Sequence, residues 1–79
     1  MLVRFIKIKC LPATIDVVAD DLVQLVEVRE IYTMPGDYDL LVKCYFSEST
    51  NIGGFVQKKI QKISGVDGTF TMDTEPLFL

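Results

Sequence analysis

Val28-Arg29-Glu30-Ile31-Tyr32-Thr33-Met34-Pro35-Gly36-Asp37-Tyr38-Asp39-Leu40-Leu41-Val42-Lys43-Cys44-Tyr45-Phe46 is the stretch that decides the fold. Val28 to Met34 is rich in Val, Ile, Tyr and Thr, whose branched or aromatic side chains suit a pleated surface, so it reads as a strand. Pro35-Gly36-Asp37 reads as a turn, because proline presets φ and glycine admits a positive φ. Asp39 to Phe46 follows as a strand of period two. Leu40, Val42, Cys44 and Phe46 point one way, and Leu41, Lys43 and Tyr45 the other. A connection this short makes the pair an antiparallel hairpin.

On the N-terminal side of the hairpin, Leu2 to Cys10 alternates, with Ile6, Ile8 and Cys10 opposed to Phe5, Lys7 and Lys9, and Pro12 ends this strand. Ala13 to Leu25 then places Val18, Leu22 and Leu25 at helical spacing, with Ile15 beside the stripe. Asp16, Asp20 and Asp21 lie off it, where a solvated acidic face is a commoner role than a cation site. On the C-terminal side, Ser47 to Thr50 offers candidate N-caps. Ile52, Phe55 or Val56, Lys59 or Ile60, and Ile63 follow at helical spacing, and Gly65 is expected to close this helix as its C′ residue. Lys58, Lys59 and Lys62 match the dipole at its C-terminal end. Gly53 and Gly54 each weaken it by about 1 kcal/mol relative to alanine. Either they admit another backbone or they are simply tolerated. Val66 to Thr74 reads as the last strand, with Thr69, Thr71 and Asp73 opposed to Phe70 and Met72, and Pro76 to Leu79 as an apolar tail. The order β-α-β-β-α-β predicts an α+β, ferredoxin-like plait: a four-stranded antiparallel sheet with two helices on one face.

Composition bounds the function. The chain has 79 residues, too few for two ordinary domains, so residues 1–79 read as a single domain. A chain this short folds marginally alone, yet 49% of it is hydrophobic and its mean hydropathy is +0.33. The surplus apolar surface points to another subunit. The open sheet face would carry Phe5, Lys7, Leu41, Lys43 and Tyr45, a mixture suited to an interface in which lysine stems cover apolar area. Lys7, Lys9 and Lys43 would meet there as a basic patch or, preferably, pair across subunits with acids such as Glu30 or Asp73. A net charge of −3 and a pI near 4.7 argue against direct nucleic-acid binding. The absence of histidine removes His-based acid–base catalysis, and the sequence also lacks the arginine–asparagine pocket sets of small plait enzymes. A non-enzymatic protein without a cofactor is expected. Cys10 and Cys44 read as buried thiols in a reducing cytoplasm. No run is long and apolar enough for a membrane helix.

The chemistry concentrates at Gly36-Asp37-Tyr38-Asp39. A glycine lets a ligand approach the backbone, two carboxylates can accept from an ammonium, and a tyrosine adds a ring and a hydroxyl. An Asx-type turn with a packed tyrosine uses the same residues. The segment Gly36-Asp37-Tyr38-Asp39-Leu40-Leu41-Val42 resembles the glycine–acid–aromatic–Asp signature of the Lrp/AsnC effector-binding domain, also called the RAM domain. Val28-Arg29-Glu30-Ile31-Tyr32 is similar to that family's second strand. Ile63-Ser64-Gly65-Val66 is similar to its proline-glycine-valine corner, with Ser64 in place of the proline, and Thr69 and Thr71 resemble its alternating threonines. The resemblance runs from Leu2 to about Glu75.

It implies a plait that dimerises through its sheet, with dimers joining into octamer-type rings and amino-acid effectors bound where dimers meet. It makes Gly36, Asp37, Tyr38 and Asp39 the effector loop, and Thr69 and Thr71 contacts from a second wall. Phe55 and Lys59 fall where selectivity is set in the family. The family's helix-turn-helix is not found in these residues, so a stand-alone domain in the cytoplasm is expected. Its partners would be an effector, copies of itself and, in an alternative role as an adaptor, DNA-binding relatives with which it co-assembles. An ACT-like domain is the alternative family, but its glycine after the first strand has no counterpart in Lys9 to Ala13.

Overall fold

The computed structural model describes residues 1–74 and 77. The strands are β1 (Leu2–Cys10), β2 (Val28–Thr33), β3 (Leu40–Phe46) and β4 (Val66–Met72), and the helices are α1 (Ile15–Leu22) and α2 (Ile52–Phe55). Helix α2 runs directly into a π-helical turn, Val56–Ile60. The sheet order is β2-β3-β1-β4, and every pairing is antiparallel. This is the expected βαββαβ plait. The β2–β3 pair is the expected hairpin, with Ile31 opposite Val42 and Thr33 opposite Leu40.

Burial follows the period of β3, whose Leu40, Val42, Cys44 and Phe46 are buried while the residues between them are half-buried. These four join Ile6, Ile8 and Cys10 of β1, Val18 and Leu22 of α1, and Phe55, Val56 and Ile60 of the second helix in one core. Alternation puts the strand members on a single sheet face, so both helices cover that face. Full burial of each such aliphatic side chain is worth about 1.5–3 kcal/mol. Phe55 meets Phe46 edge-on at 5.0 Å, so it belongs to the core, while Lys59 is exposed.

Several boundaries differ from the sequence reading. Helix α1 starts at Ile15 because Ala13 takes φ 64, a left-handed conformation no helix accommodates. It ends at Leu22 because Gln24 and Leu25 donate to carbonyls only three residues back. The cap of α2 is Asn51 rather than a residue of Ser47 to Thr50. Its side chain accepts from the Gly54 amide at 3.1 Å, and a Cβ on Gly54 would lie 3.0 Å from the same side chain. Gly54 therefore makes room for the cap, not for another backbone. Gly65 is not the helix C′ residue, since the π turn ends at Ile60. With φ +100 it lies under the start of α1, where a Cβ would stand 2.8 Å from Val18 and 2.9 Å from Thr14, and its carbonyl accepts from the Leu11 amide. Of the apolar tail, Leu77 is exposed. Residues 75, 76, 78 and 79 lie outside the described residues. No helix among the described residues is long and apolar enough to cross a membrane.

Candidate functional site

Residues 34–39 connect β2 to β3 beside the end of β1, and β1 holds the connection in place. The Asp39 amide donates to the Ile8 carbonyl at 2.9 Å, and the Met34 amide donates to the Asp39 carbonyl at 3.1 Å. One Asp39 carboxylate oxygen accepts from the Cys10 amide at 2.7 Å. That amide sits where the β1–β4 register slips between Lys9 and Cys10, so Asp39 supplies an acceptor at an irregular point of the ladder. Lys9 donates to the Asp37 carbonyl at 2.9 Å. Gly36 turns at φ +98 with nothing near the Cβ it lacks, which leaves the backbone open to solvent.

These anchors sort the predicted site residues. Asp39 is half-buried and its carboxylate is engaged within the chain. Gly36 and Asp37 are exposed, and the Asp37 carboxylate makes no bond among the described residues. Tyr38 turns toward the open sheet face, where the Lys7 ammonium lies 4.7 Å from its ring and 4.9 Å from that of Phe70. Thr69 and Thr71 stand opposite Ile8 and Ile6, and therefore on the helix-covered face of the edge strand. The Thr69 hydroxyl accepts from the Gln61 side chain at 3.0 Å. Within one chain the threonines and the Tyr38 ring thus occupy opposite faces. Lys7, Lys9 and Cys10 position the loop and were not singled out for that role from the sequence, because only the β1–β3 register brings them beside it.

The open face carries Phe5, Lys7, Leu41, Lys43 and Tyr45 as expected. On this face Lys43 lies 3.6 Å from Glu30 of the same chain. On the helix-covered face Arg4, which stands opposite the buried Cys44, lies 3.7 Å from Asp73. The Tyr32 hydroxyl donates to Glu30 and, with help from Lys43, holds that carboxyl below its ordinary range. Both cysteines are free and buried. Burial first, then the neighbouring Asp39 carboxylate, raises the Cys10 thiol above its ordinary range.

Residues 4–72 match the family model of the Lrp/AsnC ligand binding domain. The HTH-type transcriptional regulator FL11 of Pyrococcus abyssi is 38% identical over 71 residues, which make up 90% of this chain and 46% of that regulator. The chain thus spans about half the length of the curated relatives it matches. The crystal structure of hypothetical protein PHS023 from Pyrococcus horikoshii superposes with a TM-score of 0.80 at 30% identity, covering 91% of this chain and 87% of that one. The transcriptional regulator NMB0573 from Neisseria meningitidis, solved as an L-Met complex, shares the fold with a TM-score of 0.78 at 18% identity, over 99% of this chain and 52% of that one. The family match runs from β1 through the last residue of β4 and takes in the anchored loop, which sets aside the ACT-like alternative: the chain belongs to the Lrp/AsnC ligand-binding-domain family.

Proposed function

We propose that this chain is a non-enzymatic module that binds an amino acid or a related small effector and couples that binding to self-assembly. The observation that carries the reading is the Gly36–Asp39 loop. Its backbone is fixed by Asp39 and Lys9, while Asp37 keeps a free carboxylate beside an open glycine backbone. A free acid can accept from an ammonium and open backbone amides can donate to a carboxylate, so the loop suits a zwitterion. Family membership and the L-Met complex of the Neisseria meningitidis regulator support the ligand class. Thr69 and Thr71 enter the proposal as a second wall contributed by a neighbouring subunit, since their own chain places them away from Tyr38. The open sheet face is the proposed dimer contact, with dimers joining into rings. A ligand touching two subunits then favours the joined state by mass action.

Size-exclusion chromatography with light scattering, run with and without a panel of amino acids, tests both halves. An oligomer whose mass or melting temperature responds to one of them is expected. A monomer that responds to none overturns the reading. If the unliganded chain is instead captured by a DNA-binding relative, the adaptor role replaces the sensor role. In calorimetry, Asp37→Ala should weaken the effector at least tenfold with the melting temperature unchanged. Asp39→Ala should weaken it too and also cost about 1–3 kcal/mol of stability, because the Cys10 amide loses its acceptor. Unchanged affinity in Asp37→Ala removes that carboxylate from the site.

A further inference from the structure

The helix layer covers one face of the sheet and turns its own outer side to solvent. Helix α1 leads from the end of β1 at Cys10 to the start of β2 at Val28. Val28 stands opposite Cys44, and Cys44 stands opposite Arg4 near the start of β1. The second helix returns from the end of β3 at Phe46, opposite Leu2, to the start of β4 at Val66, opposite Cys10. The two helices are therefore antiparallel. Gly65, which lies against Thr14 and Val18, puts the end of the second helix level with the start of α1.

Each helix carries one sign of charge along its outer ridge. In α1, Val18 and Leu22 are buried, so Asp16 and Asp20 stand on the solvent side, and both are exposed. In the second helix, Phe55, Val56 and Ile60 are buried. Lys58, and Lys62 in the turn that follows Ile60, hold its solvent side and are exposed. Each pair is separated by four residues, about 6 Å along a helix. Because the helices are antiparallel, Asp16 lies level with Lys62, and Asp20 with Lys58. None of the four makes an ion pair among the described residues, since side chains on neighbouring outer ridges point out of the layer rather than at each other. A second copy laid face to face satisfies them in one orientation. A twofold axis running along the helices sets α1 over the second helix of the other copy and preserves the levels. Asp16 then meets Lys62 of the other copy and Asp20 meets its Lys58, four ion pairs in all. An axis running across the helices would set acid on acid and lysine on lysine. Val17, 57% exposed beside the two acids, adds apolar area to the contact.

We propose that the helix layer docks on the helix layer of a second copy of this chain through these ion pairs. This contact deepens the assembly proposed above and rests on it only for the unit that docks, since a dimer closed through its sheets turns both helix layers outward. Exposed ion pairs are weak and screened by salt, so the contact should form at low ionic strength and open at high. In light scattering, the mass at about 20 mM salt should be about twofold or more above that at about 0.5 M. A chain of net charge −3 repels its copies most at low salt, so a rise in that direction marks specific pairing. The high-salt mass reports the sheet contact separately. Asp16→Lys combined with Asp20→Lys should lose the rise, as should Lys58→Glu combined with Lys62→Glu. An equimolar mixture of the two double variants should regain it. All four positions lie on the surface, and thermal melts verify the fold. Where a reversal fails to fold, Asp16→Asn with Asp20→Asn, or Lys58→Gln with Lys62→Gln, takes its place and should also lose the rise. An equal wild-type mass at both salts leaves this face to an unlike partner and overturns the proposal. So does a rise kept by either double variant, or a mixture of folded reversals that stays apart.

Discussion

Cys44 shows at the residue scale what burial does to chemistry. It lies fully inside, opposite Arg4 and Val28, and burial first, then the nearby Glu27 carboxylate, pushes its thiol up to about 12 from an ordinary 9.0. The folded state therefore keeps a proton that the unfolded chain releases, so stability is full below about pH 9 and declines as the pH climbs toward 12. Cys10, shifted in the same direction, adds to the decline. Urea midpoints should fall through that window, and Cys44→Ala should flatten part of the fall. A wild-type midpoint that stays level there would contradict the burial. Alternation along β3 made Cys44 legible as a core residue. The role of Asp39 was not legible in the same way. An acid after a turn reads equally as ligand-binding or turn-forming, and only its 2.7 Å bond to the Cys10 amide across the sheet shows where the carboxylate is engaged.

At the element scale, the second helix departs furthest from a regular pattern. The Gln61 amide bonds the Val56 carbonyl five residues back, which widens the turn and shifts the helical phase. The shift buries Phe55, Val56 and Ile60 together and leaves Lys59 in solvent, resolving a stripe that two adjacent positions fitted equally well. A 3.6-residue period cannot reveal this, because a π turn is a local change of period. With α2 itself only Ile52–Phe55, its N-terminal cap carries unusual weight. Asn51→Ala should cost about 1 kcal/mol in denaturant melts, and Asn51→Asp should retain most of it, since either side chain offers an oxygen to the Gly54 amide. Equal stability of Asn51→Ala and wild type would show that packing of Phe55 and Val56 alone sets this end.

At the scale of the whole molecule, the open sheet face is the main consequence of the plait. Leu41 stands on it directly opposite Lys7, with Phe70 beside Lys7 in the next strand and 51% exposed. Leu41→Glu should convert the proposed dimer to a monomer in light scattering. The new carboxylate can pair with Lys7, so the fold should survive. An unchanged mass would move the dimer contact elsewhere. The sequence by itself determined the order of elements, the faces of the strands and the family, because period-two and helical patterning and the loop motif are local properties of the chain. Only the tertiary structure decided that Lys7 reaches Tyr38 and Phe70, that Gly65 lies under α1, and that Thr69 and Thr71 face away from the loop. It also decided that Asp16 and Asp20 lie level with Lys62 and Lys58 in one helix layer. Those relations follow from register and crossover between segments distant in the chain, where a slip of one residue would turn each side chain to the opposite face.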